Sequence, residues 1–475
     1  MVRYYRELYV LWFFCICLSI IFKKSYNSMK QVRNCKDKSC GLFAGYFFTV
    51  SNMRQKGSKD IYSMGTTLND TPSANRTHIA FFGKMNSGKS SLINALANQQ
   101  ISIVSKIGGT TTDLVKKPME IHGIGPCVLI DTAGFDDTSD LGDSRVMLAK
   151  QAAAQADLAV LVFSADTASL TDNASDLFSQ ERQWYDLLQK RNTPVIFVLN
   201  KADQLRPSDC LSDKIMEKFN KTPLQISAIE KKGIENLTSA LIAAATDLHQ
   251  EAARLITGDL VTAEDLVLLV MPQDIQAPKG RLILPQVQTL RELLDKKCLT
   301  MCTTTDQFEH ALAMLNHPPK LIITDSQAFQ TIYEKKPAKS RLTSFSTLFA
   351  AYKGDIAYFV HGAEMISKLT EQDKVLIAEC CTHAPLDEDI GREKLPRLLR
   401  KKIGEKLTID IVSGTDFPND LTEYRLVIQC GACMFNRKYV MSRVNAAKEQ
   451  NIAMTNYGVA IAYLNGILDK IEFTQ

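Results

Sequence analysis

Residues 78–97 read HIAFFGKMNSGKSSLINALA, and this stretch decides the fold. It begins as an apolar strand, continues with the pattern G-x-x-x-x-G-K-S from Gly83 to Ser90, and ends in a helical pattern. This order predicts a phosphate-binding loop, because backbone N–H groups and the amino end of the helix converge on phosphate oxygens. We expect the Lys89 ammonium to bind the terminal phosphates and the Ser90 hydroxyl to bind Mg²⁺.

The next motif is Asp-Thr-Ala-Gly at residues 131–134, which follows the apolar segment 127–130. The Asp131 carboxylate is predicted to reach the Mg²⁺ shell, and the Gly134 N–H is predicted to contact the γ-phosphate. The two motifs together predict a nucleoside triphosphate with its metal ion.

A threonine-rich segment, GGTTTD at residues 108–113, lies between these two motifs. A threonine there can close over Mg²⁺ and the γ-phosphate and loosen after hydrolysis. We choose Thr111 for this role, with Thr110 and Thr112 as alternatives.

The base is identified by two further strand ends. The apolar strand 195–199 is followed by Asn-Lys-Ala-Asp, and its Asp203 carboxylate can accept from both N1–H and the 2-amino group of guanine. Adenine lacks that amino group, so the site rejects it. A later strand end, Leu-Gln-Ile-Ser-Ala at residues 224–228, is expected to place the Ala228 N–H on the guanine oxygen. The predicted GTP-binding residues are Gly83, Asn86, Ser87, Gly88, Lys89, Ser90, Ser91, Asp131, Gly134, Asn200, Lys201, Asp203, Ser227 and Ala228.

The residues expected to assist hydrolysis differ from those of Ras-like GTPases. Phe135 occupies the position where Ras-like GTPases carry a glutamine that orients the attacking water, and a phenyl ring cannot do this. Asn86 is a candidate to hold K⁺ beside the phosphates, although shaping the loop is an equally good reason for it. Lys89, Asn86 and Thr111 are therefore the predicted catalytic residues.

Composition and charge are those of a globular protein of more than one domain. The chain has 475 residues and a net charge of +4, but residues 1–63 hold eleven Lys/Arg against three Asp/Glu. The remainder is therefore acidic, which argues against a nucleic-acid partner.

The amino-terminal segment 1–63 reads as an extension before Met64. It contains an apolar run at residues 8–22, shorter than the ~20 residues that span a bilayer. We expect a cytoplasmic protein that does not associate with a membrane; the alternatives are an anchor at this run or organellar targeting.

A second α/β region is predicted after residue 258. Apolar strands at 266–271 and 320–325 alternate with helical patterns at 288–294 and 308–315. No second phosphate loop appears in it, so the default role is interaction or oligomerisation.

In the last third of the chain, cysteines that could bind a metal follow directly after two predicted strands. The strand 374–378 leads to Cys380-Cys381-Thr-His383, and the strand 426–429 leads to Cys430-Gly-Ala-Cys433. Such a set suits structural zinc or an iron–sulfur cluster, and Cys430 with Cys433 could also be a thiol–disulfide pair. The residues alone leave these three readings open.

These motifs together resemble those of the HydF family. Its members are FeFe-hydrogenase maturation GTPases with a TrmE/Era-like P-loop domain. The segments that carry the resemblance run from about residue 70 to the carboxyl end: TPSANRTHIAFFGKMNSGKSSLINAL, DTAGFDD, LGDSRV, APKGRLILPQ, ITDSQAF, LTSFSTLFAAYKGD, CTHAPLDEDIGREKLPRLLRKK and CGACMFNRK.

The resemblance implies a GTPase domain, a dimerisation domain and a cluster domain. It also implies K⁺-stimulated GTP hydrolysis and a 4Fe-4S cluster on Cys381, Cys430 and Cys433. The implied role is a scaffold or carrier: a homodimer that receives a transient di-iron subcluster made with the radical-SAM maturases HydE and HydG, and delivers it to the apo FeFe-hydrogenase. Gln429 stands where the family commonly has a histidine, so His383 is a further candidate for the fourth iron site.

We therefore predict an α/β chain of three domains: a mostly parallel GTPase domain at 72–250, a small α/β dimerisation domain at 258–342 and an α/β metal-cluster domain at 343–475. The alternative functions are an RNA or ribosome-assembly GTPase with structural zinc, and a GTPase switch tethered through residues 8–22.

Overall fold

A computed structural model describes residues 72–97, 115–134, 142–165, 177–205, 210–251, 254–272, 282–380 and 389–474. All of these lie in one compact unit of the chain. The apolar run 8–22, Thr111, Phe135, Cys381 and His383 lie outside the described residues. Within the described ranges, no helix has the length and hydropathy needed to cross a membrane.

The first sheet has six strands in the order β2-β3-β1-β4-β5-β6, with β2 antiparallel to β3 and the other pairs parallel. Its strands are β1 Thr77–Gly83, β2 Val115–Ile121, β3 Gly125–Asp131, β4 Leu158–Ser164, β5 Val195–Asn200 and β6 Leu224–Ile226. The helices around it are α1 Lys89–Ala97, α2 Gly142–Gln155, α3 Ser179–Lys190, α4 Leu211–Phe219 and α5 Ile234–Glu251.

Strand β1 shows why this sheet forms. Ile79 and Phe81 join the core on one face, while Ala80 and Phe82 join the core on the other, and all four side chains are fully buried. A continuous apolar run is what a central parallel strand needs, because helices cover both faces of the sheet. The polar residues that follow such strands therefore collect at the carboxyl edge.

The second sheet has four parallel strands in the order β10-β9-β7-β8. Its strands are β7 Leu266–Val270, β8 Leu299–Thr303, β9 Leu321–Thr324 and β10 Arg341–Ser344. Its helices are α6 Leu284–Asp295, α7 Phe308–Ala313, α8 Phe329–Lys335 and α9 Phe345–Lys353.

The third sheet also has four parallel strands, in the order β12-β11-β13-β14. Its strands are β11 Lys374–Ala378, β12 Thr408–Val412, β13 Leu426–Gln429 and β14 Ala453–Asn456. Its helices are α10 Ile356–Glu364, α11 Leu395–Ile403, α12 Arg437–Glu449 and α13 Tyr457–Leu464. Short single turns complete the chain at Ser73–Asn75, Ala202–Gln204, Met365–Lys368, Ile390–Lys394 and Leu468–Lys470.

The carboxyl-terminal residues return to the second sheet. Ile467 and Ile471 are buried in the core that also contains Leu268 of β7. The Glu472 N–H donates to the Leu342 carbonyl at 3.0 Å. The second and third sheets are therefore joined both through the chain connection and through this tail.

The α/β class with three sheets is confirmed. The strands predicted at 374–378 and 426–429 have the bounds of β11 and β13, and the other predicted strands agree to within two residues. The helix expected over 308–315 is shorter and ends at Ala313.

Candidate nucleotide site and cysteine loop

The loop between β1 and α1 has the backbone of a phosphate cradle. Gly83 and Gly88 have φ of 158° and 88°, and Asn86 adopts the left-handed conformation at φ 56°, which asparagine tolerates better than most residues. A Cβ on Gly83 would lie 2.4 Å from the Val162 carbonyl oxygen. The loop therefore approaches neighbouring backbone more closely than any side chain would permit.

Lys89 is held at the centre of this loop. Its ammonium donates to the carbonyls of Gly83 at 2.9 Å and Lys84 at 2.8 Å, and the side chain is buried. These contacts fix a positive charge within the ring of backbone amides, as a phosphate-binding loop requires.

Ser90 and Asp131 meet as the metal prediction requires. The Ser90 hydroxyl donates to Asp131 Oδ2 at 2.5 Å, and the buried Asp131 Oδ1 has no hydrogen-bond partner among the described residues. Strands β1 and β3 pair Phe81 with Asp131, and the Thr132 hydroxyl donates to the Phe81 carbonyl at 2.6 Å, which anchors the loop at 132–134. Two oxygen ligands side by side, one with an unused lone-pair position, fit Mg²⁺.

Asn200 joins the phosphate loop to the base-recognition loop, a role that the motif alone does not reveal. Its Nδ2 donates to the Ser87 carbonyl at 2.9 Å, and its Oδ1 accepts from the Ala228 N–H at 3.2 Å. Lys201 follows in the left-handed conformation at φ 61° and starts the turn that presents Asp203 at the surface. Residues from three strand ends are thereby fixed relative to one another.

The cysteine loop follows β13. In the third sheet Ala378 pairs with Gln429, so the residues after both strands emerge together. The Cys430 N–H donates to the Ala378 carbonyl at 3.0 Å, and the Cys380 N–H lies 3.1 Å from Cys430 Sγ. Cys430 and Cys433 are half-buried.

Cys380 is a hydrogen-bond donor to the cysteine loop. This role was not predicted from the sequence. Burial raises the pKa of Cys380, whereas the hydrogen bond from Cys380 lowers the pKa of Cys430. Of the two thiols, Cys430 is therefore the one that loses its proton more readily, with Cys380 as its hydrogen-bond donor. A thiolate is the form that binds iron or zinc.

Two buried cations flank the cysteine loop, and neither was predicted. The Lys353 ammonium donates to the carbonyls of Ala432 at 2.8 Å and Phe435 at 2.9 Å, and burial lowers the pKa of Lys353 to about 8. Arg443 is 2% exposed, and its guanidinium carbon lies 4.8–4.9 Å from the centres of three aromatic rings, those of Phe417, Phe435 and Tyr439.

Neither cation has a carboxylate partner among the described residues. Arg443 donates to the Gly414 carbonyl at 2.6 Å, but its buried Nε and Nη1 atoms have no partner there. Glu379, beside Cys380, pairs instead with Arg392 at 3.2 Å. Carbonyl oxygens and aromatic rings offset only part of the cost of a buried positive charge, and an anionic group held by thiolates would offset more of it.

The described residues contain no cluster of three or more metal-ligating side chains. Cys430 and Cys433 are the predicted ligands that the structure describes, and a third thiolate would come from Cys381. The thiol donor set fits a thiolate-bound metal, either zinc or an iron–sulfur cluster.

Comparisons with known proteins agree with this layout. Residues 78–201 match the 50S ribosome-binding GTPase family, residues 256–354 match the hydrogen maturase F dimerization domain, and residues 357–472 match the hydrogen maturase F tetramerization domain. The chain belongs to the hydrogen maturase F family. In HydF terms, the first sheet is the GTPase domain, and the second and third sheets lie within the dimerization and tetramerization domains.

Curated relatives match about a third of the chain. The tRNA modification GTPases MnmE of Thermoanaerobacter sp. (strain X514) and Nitrosomonas europaea are each 36% identical over 165 residues, which is 34% of this chain and 33–34% of theirs. The matched segment thus spans about a third of those relatives. A solved structure of Era with MgGDPNP and 16S ribosomal RNA nucleotides is 21% identical and covers 48% of this chain and 93% of Era, with a TM-score of 0.29.

Lys353 provides a test of the cysteine loop. Lys353→Met removes the donor to the carbonyls of Ala432, Cys433 and Phe435, and hydrogen bonds from a charged group are worth about 1.5–3 kcal/mol each. We expect the loop to open more often, so that iodoacetamide alkylates Cys433 in the cluster-free protein about tenfold faster or more.

Lys336→Met is the matched control. The Lys336 ammonium also donates to backbone carbonyls, those of Ser340 at 2.7 Å and Pro337 at 3.5 Å, but it lies beside the second sheet. Its replacement should leave the alkylation rate of Cys433 unchanged; equal acceleration by both variants would contradict the role given to Lys353.

Proposed function

We propose that this HydF chain binds and hydrolyses GTP and carries a 4Fe-4S cluster, and that it delivers a di-iron precursor during FeFe-hydrogenase maturation. The observation that carries the proposal is one chain that combines the phosphate, metal and base loops of a GTPase with a thiol loop beside two buried cations that have no carboxylate partner among the described residues. The HydF domain matches support the pathway and the choice of a cluster over zinc, and the cations support an anionic thiolate-bound group in the loop.

The chain's own residues account for the GTPase part. The loop amides and Lys89 bind the phosphates, Ser90 and Asp131 take Mg²⁺, and Asp203 selects guanine. Bound Mg²⁺ would neutralise charge that develops on the phosphates. Asn86 is exposed on the loop, and its side-chain oxygen is our candidate to hold K⁺, in the role that an arginine takes in other GTPases.

The oligomer and its partners belong to the same proposal. We infer that the domain matched at 256–354 builds a homodimer and that the domain matched at 357–472 assembles larger oligomers. The proposed domain limits are 72–250, 258–342 and 343–475.

The proposed protein partners are HydE, HydG and the apo-hydrogenase.

Anaerobic reconstitution with iron and sulfide tests the cluster assignment. The protein should become brown and hold about four iron and four sulfide per chain. Cys433→Ser should lose most of this iron, whereas Cys302→Ser, at an exposed cysteine of β8, should keep it. A colourless protein that takes up zinc instead would replace this function with that of a zinc-containing RNA GTPase.

A further inference from the structure

We propose that Asn436 transmits the nucleotide state of the GTPase domain to the Cys430–Cys433 loop. The inference rests on the proposed function. It assumes that GTP binds at the first sheet and that the cysteine thiols at the third sheet bind the cluster. Asn436 lies three residues after Cys433 and makes direct contact with both parts of the molecule.

On the GTPase side, the Asn436 amide is buried against the start of β4 and the end of α2. Its Nδ2 lies 2.8 Å from the Gln155 carbonyl oxygen and 3.1–3.2 Å from the two carboxylate oxygens of Asp157. The side chain is 6% exposed. The contact with Gln155 is therefore shielded from water, and the contacts with the partly exposed Asp157 are shielded in part. Breaking the buried contact leaves polar groups without partners.

The neighbouring His78 limits which of these bonds form. Asn436 Nδ2 is 3.3 Å from His78 Nδ1, but His78 Nδ1 is also 2.9 Å from the Arg76 carbonyl oxygen, which can only accept. That contact requires a proton on His78 Nδ1, so this nitrogen cannot accept from Asn436. The two Asn436 N–H groups are left for Gln155 and Asp157.

Gln155 is the last residue of α2, the helix that follows the predicted γ-phosphate contact. The loop at 131–134 leads through residues 135–141 into Gly142, where α2 begins. A helix of this length behaves as a rod of about 21 Å, so a shift at its amino end reaches Gln155. Helices α2 and α12 also pack against each other.

On the other side, Asn436 fixes the cysteine loop. Its Oδ1 accepts from the Tyr439 N–H at 3.2 Å and so caps α12. Lys353 of α9 holds the carbonyls of residues 432, 433 and 435. Because Asn436 follows these residues directly, a movement of Asn436 relative to Lys353 changes the position of Cys433 and of the loop around it.

Thiol alkylation reports this coupling without a cluster. Cluster-free full-length protein is treated with iodoacetamide in the presence of Mg²⁺ with either GDP or the non-hydrolysable analogue GDPNP, and modification of Cys430 and Cys433 is followed by mass spectrometry. Coupling free energies between sites typically correspond to factors of about 5–150. We expect the two nucleotides to give rates that differ by about fivefold or more.

Asn436→Ser removes the contacts of residue 436 with the GTPase domain but keeps the cap of α12. Serine still caps a helix, but its side chain is too short to reach Gln155 and Asp157, so we expect the rate difference to fall below about twofold while nucleotide binding is kept. Asn436→Asp is the second variant: it keeps the cap but places a carboxylate against Asp157, and it should lose the difference as well.

Lys438→Met is the matched control. The Lys438 ammonium joins the same two domains through the carbonyls of Arg191 at 2.6 Å and Asn192 at 3.0 Å, which follow α3 rather than α2. This variant should keep the nucleotide-dependent difference.

Three outcomes would overturn the proposal: equal alkylation rates with GDP and GDPNP in the unaltered protein, a full difference in Asn436→Ser, or a loss in Lys438→Met as large as in Asn436→Ser. Failure to bind GDPNP overturns both this inference and the proposed function. Failure to take up iron overturns the cluster assignment alone, because alkylation is measured without a cluster.

Discussion

Gly88→Ala is expected to abolish GTP binding, with an affinity loss on the order of 10³-fold or more. A Cβ at this position would lie 2.1 Å from Asn200 Nδ2. Asn200 must then move, and its bonds to Ser87 and Ala228 are lost together. The substitution therefore disrupts the phosphate loop and the base-recognition loop at once. Titration with a fluorescent GTP analogue measures the effect.

Gly125→Ala separates this clash from simple backbone strain. Gly125 has φ of 83°, close to the 88° of Gly88, but a Cβ there would meet nothing within 4 Å. Alanine at either position pays about 1–2 kcal/mol for the left-handed conformation. Gly125→Ala should thus lower stability modestly and keep GTP affinity; similar affinity losses in both variants would contradict the role of Asn200.

Asp203→Asn is expected to weaken GTP binding by about 10²–10⁴-fold, because two charge-assisted hydrogen bonds of about 1.5–3 kcal/mol each are lost or reversed. An amide offers one acceptor and one donor, and its donor opposes the 2-amino group of guanine. Xanthine carries a carbonyl at that position, so the variant should prefer xanthosine triphosphate. Competition between GTP and xanthosine triphosphate in a hydrolysis assay measures the change.

Asp213→Asn is the control for the loss of one negative charge. Asp213 is an exposed aspartate on α4 of the same domain. It should leave nucleotide preference intact. An Asp203→Asn protein that still selects GTP over xanthosine triphosphate would refute the assignment of Asp203 to the base.

The nucleotide site could be predicted because its chemistry is encoded locally. The Gly83–Ser90 loop and Asp131 each follow an apolar strand within a few residues, so strand periodicity places them at one edge of one sheet. The link through Asn200 was not predictable, since it depends on the distance between loops that are far apart in sequence. The contact of Ser90 with Asp131 agrees with the metal site that the motifs predict.

The cysteine loop shows more clearly which features could not be predicted from the sequence. The strand ends before Cys380 and Cys430 were visible in the sequence, and the register of β11 with β13 brings them together. Lys353 and Arg443 lie on helices 80 or fewer residues away and carry no motif, and a lysine or arginine is ordinarily expected at the surface. Only the packing of α9 and α12 shows that both cations are buried beside the thiols.

The placement of β1 has one more consequence. Gly83 at its carboxyl end belongs to the phosphate loop, whereas His78 near its amino end lies against Asn436, and five residues of strand separate them by about 16 Å. The γ-phosphate would therefore lie too far from Asn436 for direct contact. The strand between them is buried, and buried charges are screened by salt much less than exposed ones. The effect of the nucleotide on the thiols should therefore depend little on ionic strength.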